Sequence, residues 1–137
     1  MTGIVIASHG PLAEGFKGAA EMILGPQERF AAVGMHPAAD VDALRAQIEA
    51  AVHHVLDAGG ALVLIDLFGG SPSNASAYLA VAGTPVICGV NLPMLLEVLM
   101  ARDSSDAGAL AEQAVRAGRD NIVNLGNRLA EPPSVSA

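Results

Sequence analysis

The chain has 137 residues, 52% hydrophobic and 15% charged, which suits one domain with its own core and argues against an intrinsically disordered chain. A formal net charge of −7 leaves no basic patch for nucleic acid, although it does suit a basic protein partner. The one cysteine, Cys88, excludes an internal disulfide and fits a cytoplasmic location.

Aromatic residues are scarce (three Phe, one Tyr and no Trp), so the core must be aliphatic. Mean hydropathy is +0.45, and the stretch from Leu67 to Leu96 carries no charge. Gly69, Gly70, Pro72, Asn74, Gly83, Pro85, Gly89, Asn91 and Pro93 interrupt that stretch before about 20 apolar residues accumulate, so it reads as buried structure rather than a membrane span. The first residues lack the basic flank and cleavage pattern of a signal peptide.

In chain order, Gly3–Ala7 is a β-branched run without alternation, as expected of a strand buried on both faces. Leu12, Phe16, Ala19, Ala20 and Ile23 then recur at helical spacing, with Pro11 in the first turn and Gly25 as the stop. Phe30–Met35 reads as a second strand. A helix is expected from Val41 to about Ala58, with Asp40 as N-cap and Leu44, Ile48, Ala51, Val52 and Val55 as its apolar stripe. Ala61–Leu67 is a third buried strand. Ser71-Pro72 reads as an N-cap and first helical residue, opening a helix to about Val81. Pro85–Val90 follows as a fourth strand and Pro93–Ala101 as a short helix. A helix capped by Ser104 or Ser105 extends to about Ala117, Ile122–Leu125 forms a final short strand, and residues 129–137 form a flexible tail. Strands alternating with helices predict a doubly wound α/β domain with a mostly parallel sheet.

Ligands of such sheets sit beyond the carboxyl ends of the strands, where the winding direction changes. Ser8-His9-Gly10 follows the first strand, Asp66 ends the third, Gly69-Gly70-Ser71 leads into a helix and Asn91 follows the fourth. A strand order of 2-1-3-4 makes His9 and Asp66 neighbours. This set suits nucleophilic transfer through histidine, in which one ring nitrogen attacks while a carboxylate on the other fixes the tautomer. Backbone N–H groups of Gly69, Gly70 and Ser71, with the Ser71 hydroxyl, suit a phosphoryl group. No arginine or lysine lies near these loops in sequence, which argues against a nucleotide site. Neighbouring His53 and His54 on a helix point about 100° apart, which does not suit a shared metal ion. His36 is a loop residue without an evident role, and Cys88 reads as core filling.

Ile4-Val5-Ile6-Ala7-Ser8-His9-Gly10 resembles the phosphorylated-histidine segment of the mannose-type (mannose-fructose-sorbose) IIA proteins of the bacterial sugar phosphotransferase system. Ala20–Gly25 is similar to the end of their first helix, Asp66–Ala75 to a second signature, and Gly89–Leu95 with Glu97 and Leu99–Arg102 to a third. The resemblance covers roughly Thr2 to Leu125 and implies a domain over residues 1–128 with four parallel strands. The resemblance also implies a fifth, antiparallel strand from around Ile122–Leu125, supplied across a homodimer. It further implies that phospho-HPr phosphorylates His9, that Asp66 orients His9, and that Ser71 contacts the phosphoryl group. A IIB protein on a separate chain then accepts the group for sugar uptake and phosphorylation. No cofactor or metal is implied, and contact with the membrane permease is at most peripheral.

Leu67 and Phe68 depart from the hydroxyl residue and Trp of some members, which bears on partner docking. Three other readings use the same residues. Within the family, a regulatory phosphoacceptor of a permease-less system is the nearest. A Ser/His/Asp hydrolase would use Ser71 as nucleophile, but Gly69-Gly70-Ser71-Pro72-Ser73 does not fit a Gly-x-Ser-x-Gly elbow. The third is a response-regulator-like or flavodoxin-like binding module, but receiver chemistry would need an acidic cluster after the first strand and a late lysine, whereas the only lysine is Lys17.

Overall fold

The structure, a computed structural model, describes residues 1–133. Four strands, β1 (Gly3–His9), β2 (Phe30–Met35), β3 (Ala61–Ile65) and β4 (Val86–Cys88), form a parallel sheet in the order β2-β1-β3-β4. Six helices accompany them: α1 (Leu12–Leu24), α2 (Val41–Val55), α3 (Ser71–Val81), α4 (Leu92–Ala101), α5 (Ala107–Asp120) and α6 (Leu125–Ala130).

The unbroken apolar runs of β1 and β3 have a direct cause, because each face of the sheet meets its own core. Ile4, Ile6, Leu62 and Leu64 join Ala13, Ala20, Met94, Leu95 and Leu110 from α1, α4 and α5. Val5, Ala7, Val63 and Ile65 join Leu44, Ile48, Val52 and Leu79 from α2 and α3. Polar residues on alternate positions would be buried without partners on either side. The chain leaves β1 towards β2 through α1 on one face. It returns through α2, and then reaches β4 through α3, on the other. The change of direction therefore falls between β1 and β3.

Several element ends differ from the sequence reading. α2 stops at Val55 because Leu56 takes up extended backbone, with φ −56° and ψ 131°. β3 stops at Ile65, and β4 is confined to Val86–Cys88. α5 begins after Asp106, whose carboxylate accepts the Ala109 N–H at 2.9 Å. Neither serine takes that role: Ser104 donates to the Ala101 carbonyl, and the Ser105 carbonyl accepts the Thr2 hydroxyl. α3 is capped by Gly70, which places Ser71 inside the helix.

The short strand expected over Ile122–Leu125 is absent from the single chain. Residues 122–124 are irregular, and Leu125 opens α6 under an Asn124 cap. A strand there needs an edge to pair with, and among the described residues this segment pairs with none. α6 also takes in Leu129 and Ala130, the start of the expected tail, whose residues 134–137 lie outside the described residues. No helix among the described residues is long and apolar enough to cross a membrane.

The capping assignment is open to a direct check. Asp106→Ala should cost about 1 kcal/mol in urea unfolding by exposing the first N–H groups of α5. Ser104→Ala should stay within about 0.5 kcal/mol of the parent. Equal effects of the two would contradict the assignment.

Candidate functional site

His9 is the last residue of β1, and Asp66 directly follows β3. Because β1 and β3 are parallel neighbours, paired through Ala7↔Ile65, their carboxyl ends bring the two residues together. Asp66 Oδ2 lies 2.7 Å from His9 Nδ1 and also accepts the His9 backbone N–H at 3.0 Å. Its Oδ1 accepts the Leu67 N–H at 3.0 Å. The carboxylate therefore holds both the main chain and the ring of the same residue. An ionised carboxylate only accepts, so Nδ1 carries the proton, and in the neutral imidazole the lone pair is then on Nε2.

Exposure divides the pair unevenly. The Asp66 side chain is 7% exposed and the His9 side chain 41%. Burial acts to raise the Asp66 pKa, but the hydrogen bonds from the His9 backbone and ring, together with that from Leu67, outweigh it. The carboxyl is thus held below its ordinary value.

The free side of the imidazole lies against Gly70. A Cβ at Gly70 would stand 2.7 Å from His9 Cε1 and 3.1 Å from Nε2, so any side chain there displaces the ring. Gly69, with φ +92°, makes the turn that brings the strand-to-helix loop so close. Ser71 and Pro72 then open α3, whose N-terminus carries no side-chain cap. By contrast, Asp40, Asn91, Asp106 and Asn124 cap α2, α4, α5 and α6.

The residues singled out from sequence therefore separate. His9 and Asp66 are bonded, Gly70 touches the ring, and Gly69 and Ser71 flank Gly70. Among the described residues no hydrogen bond links Ser71 to His9, so the nucleophile–base contact of a Ser/His/Asp hydrolase is missing. Asn91 stands apart, because its side chain accepts from Met94 N–H and donates to the Gly118 carbonyl, joining α4 to α5. His36 is exposed beyond β2, and His53 and His54 lie in the last turn of α2. Cys88 ends β4, half-buried, with Sγ 3.6 Å from Ser73 Oγ.

Two roles had no sequence signal. Ser8 is fully buried, accepts the Ala13 N–H at 2.7 Å and donates to the His9 carbonyl at 3.1 Å, tying the His9 peptide to α1. Its spacing of five from Ala13 is longer than that of an ordinary cap, so the usual motif does not reveal it. The approach of Gly70 to the ring depends on a contact between loops distant in sequence.

Comparison with known proteins adds an independent line. Residues 3–115 match the family model described as the PTS system fructose IIA component. The chain is 38% identical over 125 residues to the mannose-specific EIIAB component of Escherichia coli (strain K12), covering 89% of this chain but only 39% of that protein. It thus spans well under half the length of that relative. It is 30% identical over 128 residues to the sorbose-specific EIIA component of Lacticaseibacillus casei, covering 92% of each. Among solved structures, a phosphotransferase system component EIIA from Streptococcus agalactiae superposes with a TM-score of 0.84 at 28% identity, covering 93% of this chain and 99% of that one.

The depressed carboxyl has a consequence for stability. An Asp pKa lower in the folded than in the unfolded chain contributes stability that is fully present above about pH 4 and lost as pH falls through the lower folded value. Denaturation measured across that acid range should show this loss in the parent and a flatter profile in Asp66→Asn. Identical profiles would contradict the pairing.

Proposed function

Because the chain belongs to the mannose-type IIA family of the sugar phosphotransferase system, we propose that it is a phosphohistidine carrier whose His9 Nε2 accepts a phosphoryl group from phospho-HPr and passes it to a IIB component. The observation that carries this reading is the 2.7 Å contact between His9 Nδ1 and a buried Asp66 carboxylate, on a ring that is otherwise open to solvent.

In the transfer, the Nε2 lone pair forms the new N–P bond as the donor's N–P bond breaks. The electrons of the broken bond return to the donor's ring nitrogen. Positive charge grows on the His9 imidazole, and Asp66 stabilises it through Nδ1–H without taking the proton. The backbone N–H groups of Gly69, Gly70 and Ser71 and the Ser71 hydroxyl supply donors to the phosphoryl oxygens. The uncapped N-terminus of α3 supports that assignment, since its dipole favours an anion. Passing the group to IIB is the same step in reverse. Positioning and charge stabilisation are sufficient for exchange between two imidazoles.

We also infer a homodimer built on the free edge of β4. Beside that edge lies a cavity of about 310 Å³ whose lining includes Ile87, Cys88, Val115 and Ile122. Ile122, Val123, Leu125 and Leu129 are all exposed in the single chain, as suits a segment covered by a second copy. Sedimentation should report twice the chain mass, and a monomer at micromolar concentration would sink this inference.

Incubation with phosphoenolpyruvate, enzyme I and HPr should give an acid-labile, base-stable adduct. His9→Ala should abolish it. Asp66→Ala should slow labelling about a hundredfold while the domain stays folded, because an orienting group contributes on that scale. Gly70→Ala should slow it as well by displacing the ring. Labelling that persists in His9→Ala would refute the assignment.

A further inference from the structure

Beside the loop that follows His9 lies a cleft of about 500 Å³, lined by Gly10, Pro11, Glu14, Gly34, His36 and Pro37. Its floor is main chain: Gly34 of β2 stands so close to the Gly10 carbonyl that a Cβ there would collide with it. Pro11 and the first turn of α1 form one wall, and the segment after β2 that carries His36 and Pro37 forms the other. Glu14 is exposed in that first turn and, among the described residues, makes no ion pair or hydrogen bond. Lys17, one turn further along α1, pairs with Glu21 instead.

The distribution of cations makes this carboxylate significant. A phosphoryl group brings about two negative charges to His9, yet none of the chain's basic side chains is bonded near it. Arg29 and Arg102 meet at the opposite end of the sheet, where Arg102 donates to the Arg29 carbonyl. Arg45 stacks on Tyr78, 3.9 Å from the ring centroid. Arg116 and Arg119 lie on α5, and Arg128 lies on α6 beside Glu131. Among the described residues no arginine or lysine is bonded to His9 or Asp66, so a partner that brings a cation complements the site and is drawn to an acidic surface.

Building on the phosphocarrier reading, we propose that this cleft receives an arginine or lysine side chain of the phosphoryl-exchanging partner. The stem packs between Pro11 and Pro37 and the cation pairs with Glu14. Two rigid prolines suit an aliphatic stem, because little entropy is lost in closing on it. Leu12, the first residue of α1, is also exposed. Docking here aligns the partner beside the loop that carries the nucleophile, so the cleft governs encounter and leaves bond making to His9.

The test separates docking from chemistry by using two phosphoryl donors on the full chain. One is phospho-HPr, and the other is phosphoramidate, a small molecule that makes no protein contact. Glu14→Gln should raise the KM for phospho-HPr about fivefold and weaken its dependence on salt, with Glu14→Lys stronger in the same direction. The rate of labelling by phosphoramidate should stay at the parent value in both. If Glu14 merely favours the α1 dipole, both variants lower the melting temperature but leave the KM for phospho-HPr and its salt dependence unchanged, which overturns the proposal. Parent protein labelled by phosphoramidate but not by phospho-HPr removes the partner and this docking site with it. Absence of labelling by either donor removes the phosphocarrier reading itself.

Discussion

The site depends on a single carboxylate that binds one residue twice. Asp66 Oδ2 accepts from both the backbone and the ring of His9, so the direction of the main chain and the orientation of the imidazole are set together. A ring held only by its own torsions would sample several rotamers, and the free nitrogen would face solvent, loop and helix in turn. With Nδ1 committed to the carboxylate, Nε2 is the nitrogen left beside Gly70. The exposure of the two side chains fits this division, since the fixed charge is buried and the reactive ring is open to a partner.

The rest of the fold supplies the rigidity that such a contact needs. His9 and Asp66 lie at the ends of the two central strands, whose residues are buried in separate cores on either face. Displacing one strand end relative to the other would disturb close packing on both sides at once. Ser8 fastens the His9 peptide to α1, while the lack of a side chain at Gly70 admits the loop before α3. α1 starts three residues after His9 and α3 five residues after Asp66, on opposite faces of the sheet. This is the arrangement expected at the switch point of a doubly wound sheet.

Much of this was readable from the chain itself, for identifiable physical reasons. Apolar runs without alternation mark doubly buried strands, which is why β1 and β3 were legible and the neighbourhood of His9 and Asp66 followed from strand order. What was missed depends on tertiary competition. Ser104 and Ser105 are good caps by type, but Ser104 turns back to the Ala101 carbonyl, the Ser105 carbonyl holds Thr2, and Asp106 caps α5 instead. Asn91 sits at a strand end like a ligand-binding residue, yet its amide is committed to α4 and α5. The apolar Ile122–Leu125 segment resembles a strand in composition, but in the single chain residues 122–124 are irregular and Leu125 opens α6. Gly70 read as a turn glycine, whereas its closeness to the ring appears only once two distant loops are placed side by side.

The central claim concerns which nitrogen is free, and nuclear magnetic resonance of the phosphorylated, nitrogen-15-labelled protein addresses it directly. Phosphorus–nitrogen coupling on His9 should locate the phosphoryl group at Nε2, with Nδ1 still protonated and hydrogen-bonded. Coupling to Nδ1, or a phosphorylated residue other than His9, would contradict the account.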